Sequence, residues 1–254
     1  MDGADARGAG LVTAHEHDCD TRTLSGRAPC GIVSRVVAAL VRKALAPLAP
    51  PACFACGASA GAAAPFCPPC RDGLGWLSDE VVELEGPGAP AIEAWAPLAY
   101  RGGARALTRA FKFRGAVGLT ETMAAQIAAT APPGALDRGE LVPVPLHPAR
   151  RRRRGFNQAE RLAGALGRRT GLAVADCLER TGPRGTQMGR DRDERLAALA
   201  GSVRMRRGAR APREAILVDD VLTTGATMLA CSRSLRSAGS ERVAAVAYAR
   251  TPGR

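Results

Sequence analysis

Two groups of residues in this chain have types and spacings suited to chemistry. The first is Cys53-x2-Cys56 and Cys67-x2-Cys70, two thiol pairs separated by ten residues. Two chelating pairs supply the tetrahedral sulfur set that zinc takes in structural sites, and Gly57 provides for a tight turn after the first pair. A complete four-thiolate shell leaves no open coordination position, so a metal there holds a fold and performs no reaction. Disulfides are the alternative. The stretch from Met1 to Asp20 carries acidic residues and no apolar h-region, so the expectation is a cytoplasmic chain, where disulfides are disfavoured. Cys177 and Cys231 read as small core residues. His15, His17, Cys19 and Cys30 have no compact ligand spacing.

The second group is contiguous. Ala215-Ile216-Leu217-Val218 is an apolar strand, followed by Asp219-Asp220, then Val221-Leu222-Thr223-Thr224-Gly225-Ala226-Thr227. Strand, two carboxylates, Thr/Gly loop and helix start follow one another without a gap. Backbone N–H groups, hydroxyls and the positive end of a helix dipole form a phosphate cradle. Carboxylates just before it can accept hydrogen bonds from the hydroxyls of an attached sugar. Ligands of open α/β sheets bind at such strand ends.

Arg150 to Arg154 is a run of five cations between Pro148 and Gly155. They cannot share one helix face, so a loop or helix entry is expected. The run suits a solvated surface, a diphosphate-bearing substrate, or single-stranded DNA bound with steep salt dependence. Phe156 is the only aromatic residue near it, whereas single-strand binders usually interleave several. His147, between Leu146 and Pro148, reads as structural or as an acid or base.

The Asp219–Thr227 segment resembles the phosphoribosyl diphosphate (PRPP) motif of type I phosphoribosyltransferases. Val142-Pro143-Val144-Pro145-Leu146-His147-Pro148, the arginine run and Gly155-Phe156-Asn157-Gln158 resemble the signature of the ComF family, which is associated with bacterial competence. That family also carries a four-cysteine zinc element N-terminal to a phosphoribosyltransferase-like domain, and the resemblance covers residues 48–251. It implies Asp219 and Asp220 at the ribose hydroxyls, and Thr223, Thr224, Gly225, Ala226 and Thr227 around the 5′-phosphate. It further implies Mg2+ with PRPP, and diphosphate or loop contacts from Arg154, Arg180, Gln187 and Arg195. Tyr100 and Lys112-Phe113-Arg114-Gly115 also fit the family. The family usually has Asn and an aromatic residue where this chain has Ala198 and Val203. The implied function is a phosphoribosyltransferase acting on PRPP. The alternatives are a non-enzymatic DNA-uptake factor contacting single-stranded DNA or a helicase partner, and a PRPP sensor without turnover.

The elements that must position these groups follow from periodicity. Residues 1–30 predict a disordered tail, and residues 31–75 an amphipathic helix (Val33, Val36, Val37, Leu40, Val41, Ala44) followed by the cysteine module. Residues 90–254 predict an α/β domain with a doubly wound, mostly parallel sheet. Its strands are expected at Ala94–Tyr100, Leu141–Pro145, Ala215–Val218 and Arg242–Tyr248. Its helices are expected at 104–113, 119–131, 156–169 and 227–238. The chain has 254 residues and a net charge of +12, and 51 residues are alanine, so large core side chains are scarce. Residues 141–213 hold eighteen basic and six acidic groups, which is the whole excess. A locally cationic, otherwise near-neutral chain points to an anionic partner. No apolar run is long enough for a transmembrane helix.

Overall fold

The computed structural model describes residues 52–61, 64–86, 89–113, 118–181 and 201–253. All of these fall in one compact unit, Leu48–Arg254. The expected tail, the amphipathic helix, Arg114, Gly115, Gln187, Arg195 and Ala198 lie outside the described residues.

Strand propensity concentrates in Ala/Val/Leu/Ile runs that are apolar on both faces, as parallel strands between two helical layers must be. Strands β1 (Val82–Gly86), β2 (Ala89–Trp95), β3 (Leu98–Ala99), β4 (Glu140–Pro143), β7 (Glu214–Leu222) and β8 (Arg242–Arg250) form one sheet. Its order is β1-β2-β8-β7-β4, with β3 also pairing β8. Every pairing is parallel except β1 with β2. The expected α/β class with a mostly parallel sheet is therefore what the chain adopts. A separate antiparallel pair, β5 (Leu178–Arg180) and β6 (Val203–Met205), was not legible from periodicity.

Two strand boundaries differ from expectation. The apolar strand after Ala215 does not stop at Val218. Pairing with β8 continues from Val218↔Val246 through Asp219↔Ala247 to Leu222↔Arg250, so Asp219 and Asp220 lie inside β7 rather than beyond it. The segment from Ala94 to Tyr100 is interrupted. Trp95 pairs with Val246 and Leu98 with Ala249 in one continuous register. Between them Pro97 has no N–H to give to the ladder.

Helices α2 (Gly102–Phe113), α3 (Gly118–Thr130) and α5 (Gln158–Thr170) cover one face, and α6 (Ala226–Ser237) covers the other. On the first face Leu107, Phe111, Met123, Ile127, Leu162 and Leu166 bury against Ile216, Val218 and Tyr248. On the second, Met228, Leu229 and Leu235 bury against Leu217, Ala245 and Ala247. Neighbouring residues of β7 and β8 thus serve opposite layers, the period-2 alternation of a strand. Cys177 and Cys231 are buried in the second core, as their apolar context suggests.

The cysteine segment shares the first core. Phe66 and Leu74, which flank helix α1 (Pro68–Asp72), are buried with Leu98, Ala104 and Leu107. A Cβ on Gly103 would lie 2.9 Å from Leu74 Cδ2 and 3.4 Å from the Cys70 carbonyl oxygen. The first turn of α2 therefore rests directly on the second thiol pair.

Gly139 leads into β4 with φ +101°, and a Cβ there would sit 2.9 Å from the backbone oxygen of Glu214. Gly139→Ala is expected to cost about 1–3 kcal/mol through this strain. Urea denaturation should show a lower midpoint at unchanged slope.

Candidate functional site

The four cysteines converge. Their sulfur atoms all lie within 4.8 Å of one another, and Cys56 Sγ is 3.6 Å from Cys67 Sγ. A tetrahedral ion with metal–sulfur bonds of about 2.3 Å needs sulfur–sulfur edges of about 3.8 Å, so the cluster has the dimensions for one ion. None of these thiols is in a disulfide. Gly57 makes the first turn at φ +79°, donating its N–H to the Cys53 carbonyl at 2.9 Å. Cys67 caps α1, and its carbonyl accepts the Arg71 N–H at 3.0 Å.

The thiols differ in acidity. Burial opposes the Cys53 thiolate, but N–H groups of Cys67, Cys56 and Ala55 aimed at it prevail and bring it down to about 6. Hydrogen bonding with the Cys56 and Cys67 thiols, together with burial, pushes Cys70 up to about 12. A single cation among the four sulfurs removes this conflict by letting all be thiolates.

The second site is a cleft of about 230 Å³ where β4 and β7 end. β7 supplies Asp219 and Asp220, the turn beyond it supplies Thr223, and the first turn of α6 supplies Thr227. Val144, Pro145 and Leu146 follow β4. Tyr100 precedes α2, Lys112 lies in its last turn, and Arg180 comes from β5. Thr224 and Gly225 make the turn between the two lining threonines, and Ala226 begins α6. Gly225 adopts φ +73° as the N-cap of α6 and lies close to Leu84, and Ala226 N–H approaches Thr224 Oγ1 at 3.5 Å.

The arginine run is a short helix of its own, α4 (Pro148–Arg154), ended by Gly155 at φ +77°. Helical spacing sorts its members. Arg150 and Arg154, four apart, line the cleft. Arg151 instead binds Glu160 at 2.7 and 3.2 Å, and Arg152 and Arg153 are exposed. His147 is the N-cap, its Nδ1 accepting the Ala149 N–H at 3.2 Å, which favours the structural reading. Asn157 is likewise structural. It donates to the Val144 carbonyl at 3.0 Å and caps α5 through Ala159 N–H at 3.2 Å, tying that helix to the end of β4. Phe156 packs near Phe111 and lies under Arg161, 3.9 Å from the ring centre.

Asp219 and Asp220 are neighbours in a strand with little solvent. Lys112 Nζ meets Asp220 Oδ1 at 3.0 Å, and the Asp220 backbone N–H donates to Asp219 Oδ1 at 2.7 Å. Burial first, and then the charge of Asp220, push Asp219 up to about 7, against the opposing pull of Lys112. Two polar atoms here lack a partner among the described residues. Asp220 Oδ2 is a buried acceptor and Gln158 Nε2 a buried donor. The orientation of the Gln158 amide follows from its Oε1, which accepts Arg154 Nη1 at 3.1 Å. Burial and the nearby charge of Arg150 press down on Arg180, and burial presses on Arg154.

Of the residues the sequence singled out, Asp219, Asp220, Thr223, Thr227, Arg154 and Arg180 come together in this cleft. Val203 does not. It is buried in β6, with its carbonyl accepting Ser234 Oγ at 2.8 Å, so its departure from the family pattern falls at a core position. The sequence did not select Arg150, Gln158 or Lys112 as site residues. For Arg150 the signal was the i, i+4 spacing to Arg154. For Gln158 and Lys112 it was only their place in family-like segments.

An unfolded aspartate titrates near 3.9, well below Asp219 in the folded chain. Between these values the native state binds more protons, so Asp219 makes stability fall as pH rises from about 4 to about 7. Asp219→Asn should therefore be more stable than the parent at pH 8, with the gain vanishing near pH 4. Thermal denaturation at the two pH values checks this.

No protein-family model matches the chain. It is 35% identical over 104 residues to competence protein ComFC of Streptococcus pneumoniae, covering 41% of this chain and 44% of that protein. It is 35% identical over 106 residues to competence protein F of Haemophilus influenzae, covering 41% and 46%. The chain thus aligns with less than half the length of these curated relatives. A solved structure of the allosteric regulatory enzyme of purine biosynthesis matches at 19% identity and a TM-score of 0.30, covering 50% of this chain and 24% of that one. Over the matched segment, the chain is similar to these two competence proteins.

Proposed function

We propose that the cleft binds PRPP and that the protein acts as a phosphoribosyltransferase. One observation carries this reading: an unpartnered buried acceptor, Asp220 Oδ2, and an unpartnered buried donor, Gln158 Nε2, belong to residues lining one cleft together with Lys112, Arg150, Arg154 and Arg180. A ligand that satisfies both atoms presents hydroxyl donors beside anionic oxygens, which is the chemistry of a sugar phosphate.

In this reading Asp219 and Asp220 accept the ribose hydroxyls. The N-terminus of α6 and Thr223 to Thr227 receive the 5′-phosphate. Arg150, Arg154 and Arg180 stabilise the diphosphate as the bond from its oxygen to C1′ breaks and a nucleophile bonds to that carbon. The chain contributes positioning and charge stabilisation. Carboxylates are the hard donors Mg2+ takes, and it would screen the diphosphate charge. With four cations lining the cleft, Asp219 and Asp220 would hold such an ion only together with the diphosphate. The metal of the cysteine cluster is zinc in this reading, held by Cys53, Cys56, Cys67 and Cys70 with no position open for substrate.

Calorimetry with PRPP and Mg2+ tests the cleft. The parent should bind, and Asp219→Ala combined with Asp220→Ala should weaken binding by at least about a hundredfold, the cost of two charge-assisted hydrogen bonds. Unchanged affinity would refute the assignment. Release of diphosphate in the presence of a nucleobase panel separates an enzyme from a sensor. For the metal, elemental analysis should give one zinc per chain. Chelation should lower the melting temperature, because the cluster shares a core with α2.

A second reading is a role in DNA uptake. Arg152 and Arg153 are exposed beside the cleft, and both curated relatives are named competence proteins. Single-stranded DNA binding that is steep in salt and survives loss of both aspartates would support it. Absence of binding at low salt, or lost binding in the double aspartate variant, would count against it.

A further inference from the structure

Only Lys43 and Lys112 are lysine among the 36 basic residues of this chain. Arginine is the default cation here, so a lysine in the cleft is an exception in composition. Helix α2 is anchored at its first turn on the second thiol pair and carries Lys112 in its last turn. The rest of its buried face, Ala104, Leu107, Thr108 and Phe111, holds it against the sheet. Lys112 itself is largely buried, with 22% of its side chain exposed, and Asp220 has 6%.

The contact between them is one-sided. Lys112 Nζ takes Asp220 Oδ1 at 3.0 Å, while Oδ2 of the same carboxylate is buried with no hydrogen-bond partner among the described residues. An ammonium is a compact point charge and can hold one oxygen alone. A guanidinium is a planar fork that pairs with both oxygens of a carboxylate at once. An arginine at position 112 would keep the charge but cap the oxygen that is now open.

We propose that Lys112 is a positioning residue: it neutralises Asp220 through one oxygen and so leaves the other oriented to accept a hydroxyl of a sugar phosphate. This rests on the proposed ligand class and names the residue that makes Asp220 selective for it. Lys112 acts through Asp220, not on the ligand's phosphate. Arg154, Arg150 and Arg180 remain for the anionic groups.

The test uses the full chain, with ribose 5-phosphate and inorganic phosphate as separate calorimetric probes. Inorganic phosphate reports the anion-binding groups, the loop, the α6 N-terminus and the arginines, without the hydroxyl contact. Its affinity should stay within about twofold in Lys112→Met and Lys112→Arg, which also certifies that both variants fold. Ribose 5-phosphate should bind at least about tenfold more weakly to both variants, the loss of one charge-assisted hydrogen bond. Lys112→Met added to Asp220→Asn should weaken binding no further than Asp220→Asn alone. Full rescue by arginine, or additive losses in the double variant, would overturn the proposal while leaving the ligand class standing. Failure of the parent to bind ribose 5-phosphate would instead overturn the ligand class, and the inference with it.

Discussion

Two adjacent carboxylates inside a parallel strand that is buried on both faces are costly, because charge in a poorly solvated place must be paired or neutralised. The surroundings of Asp219 and Asp220 follow from that demand. Lys112 approaches from α2, and Arg150 and Arg154 from α4. Arg180 comes from β5, and the Asp220 N–H turns onto its neighbour. These groups compensate the pair only in part. Burial pushes Asp219 up to about 7, and one Asp220 oxygen keeps no partner among the described residues. Incomplete compensation in a cleft at strand ends is the feature on which the proposed binding site rests.

The cysteine cluster bears on the same site through a rigid element. Helix α2 has twelve residues and spans about 17 Å at 1.5 Å per residue. Cys70 and Leu74 lie against its first turn, and Lys112 lies at the other end. Tyr100, just before the helix, lines the cleft as well. A metal ion holding the four thiols together would therefore also set where α2 begins, and with it where the ammonium sits.

Legibility in the sequence tracked locality. The β7–loop–α6 segment was readable because strand, carboxylates, hydroxyls and helix start are contiguous, so local propensity and site chemistry coincide. The end of β7 was misplaced because two aspartates look like a terminus by propensity, whereas pairing with β8 carries the strand on to Leu222. The β5–β6 pair was unreadable, since three-residue strands give no periodicity. Val203, singled out only as a departure from the family pattern, proved to be a core residue of that pair. The arginine run was visible, but which two of its five members serve the cleft depends on the α4 axis.

By itself the sequence determined the donor sets, their local order and the sheet class, because spacing and hydrophobic period act within a few residues. Tertiary structure decided which cations face the two carboxylates and which oxygen of Asp220 is left open. It also decided that the thiol cluster and the cleft share one helix. Those outcomes depend on burial and on contacts between segments a hundred residues apart, such as Lys112 with Asp220, and no local pattern encodes them.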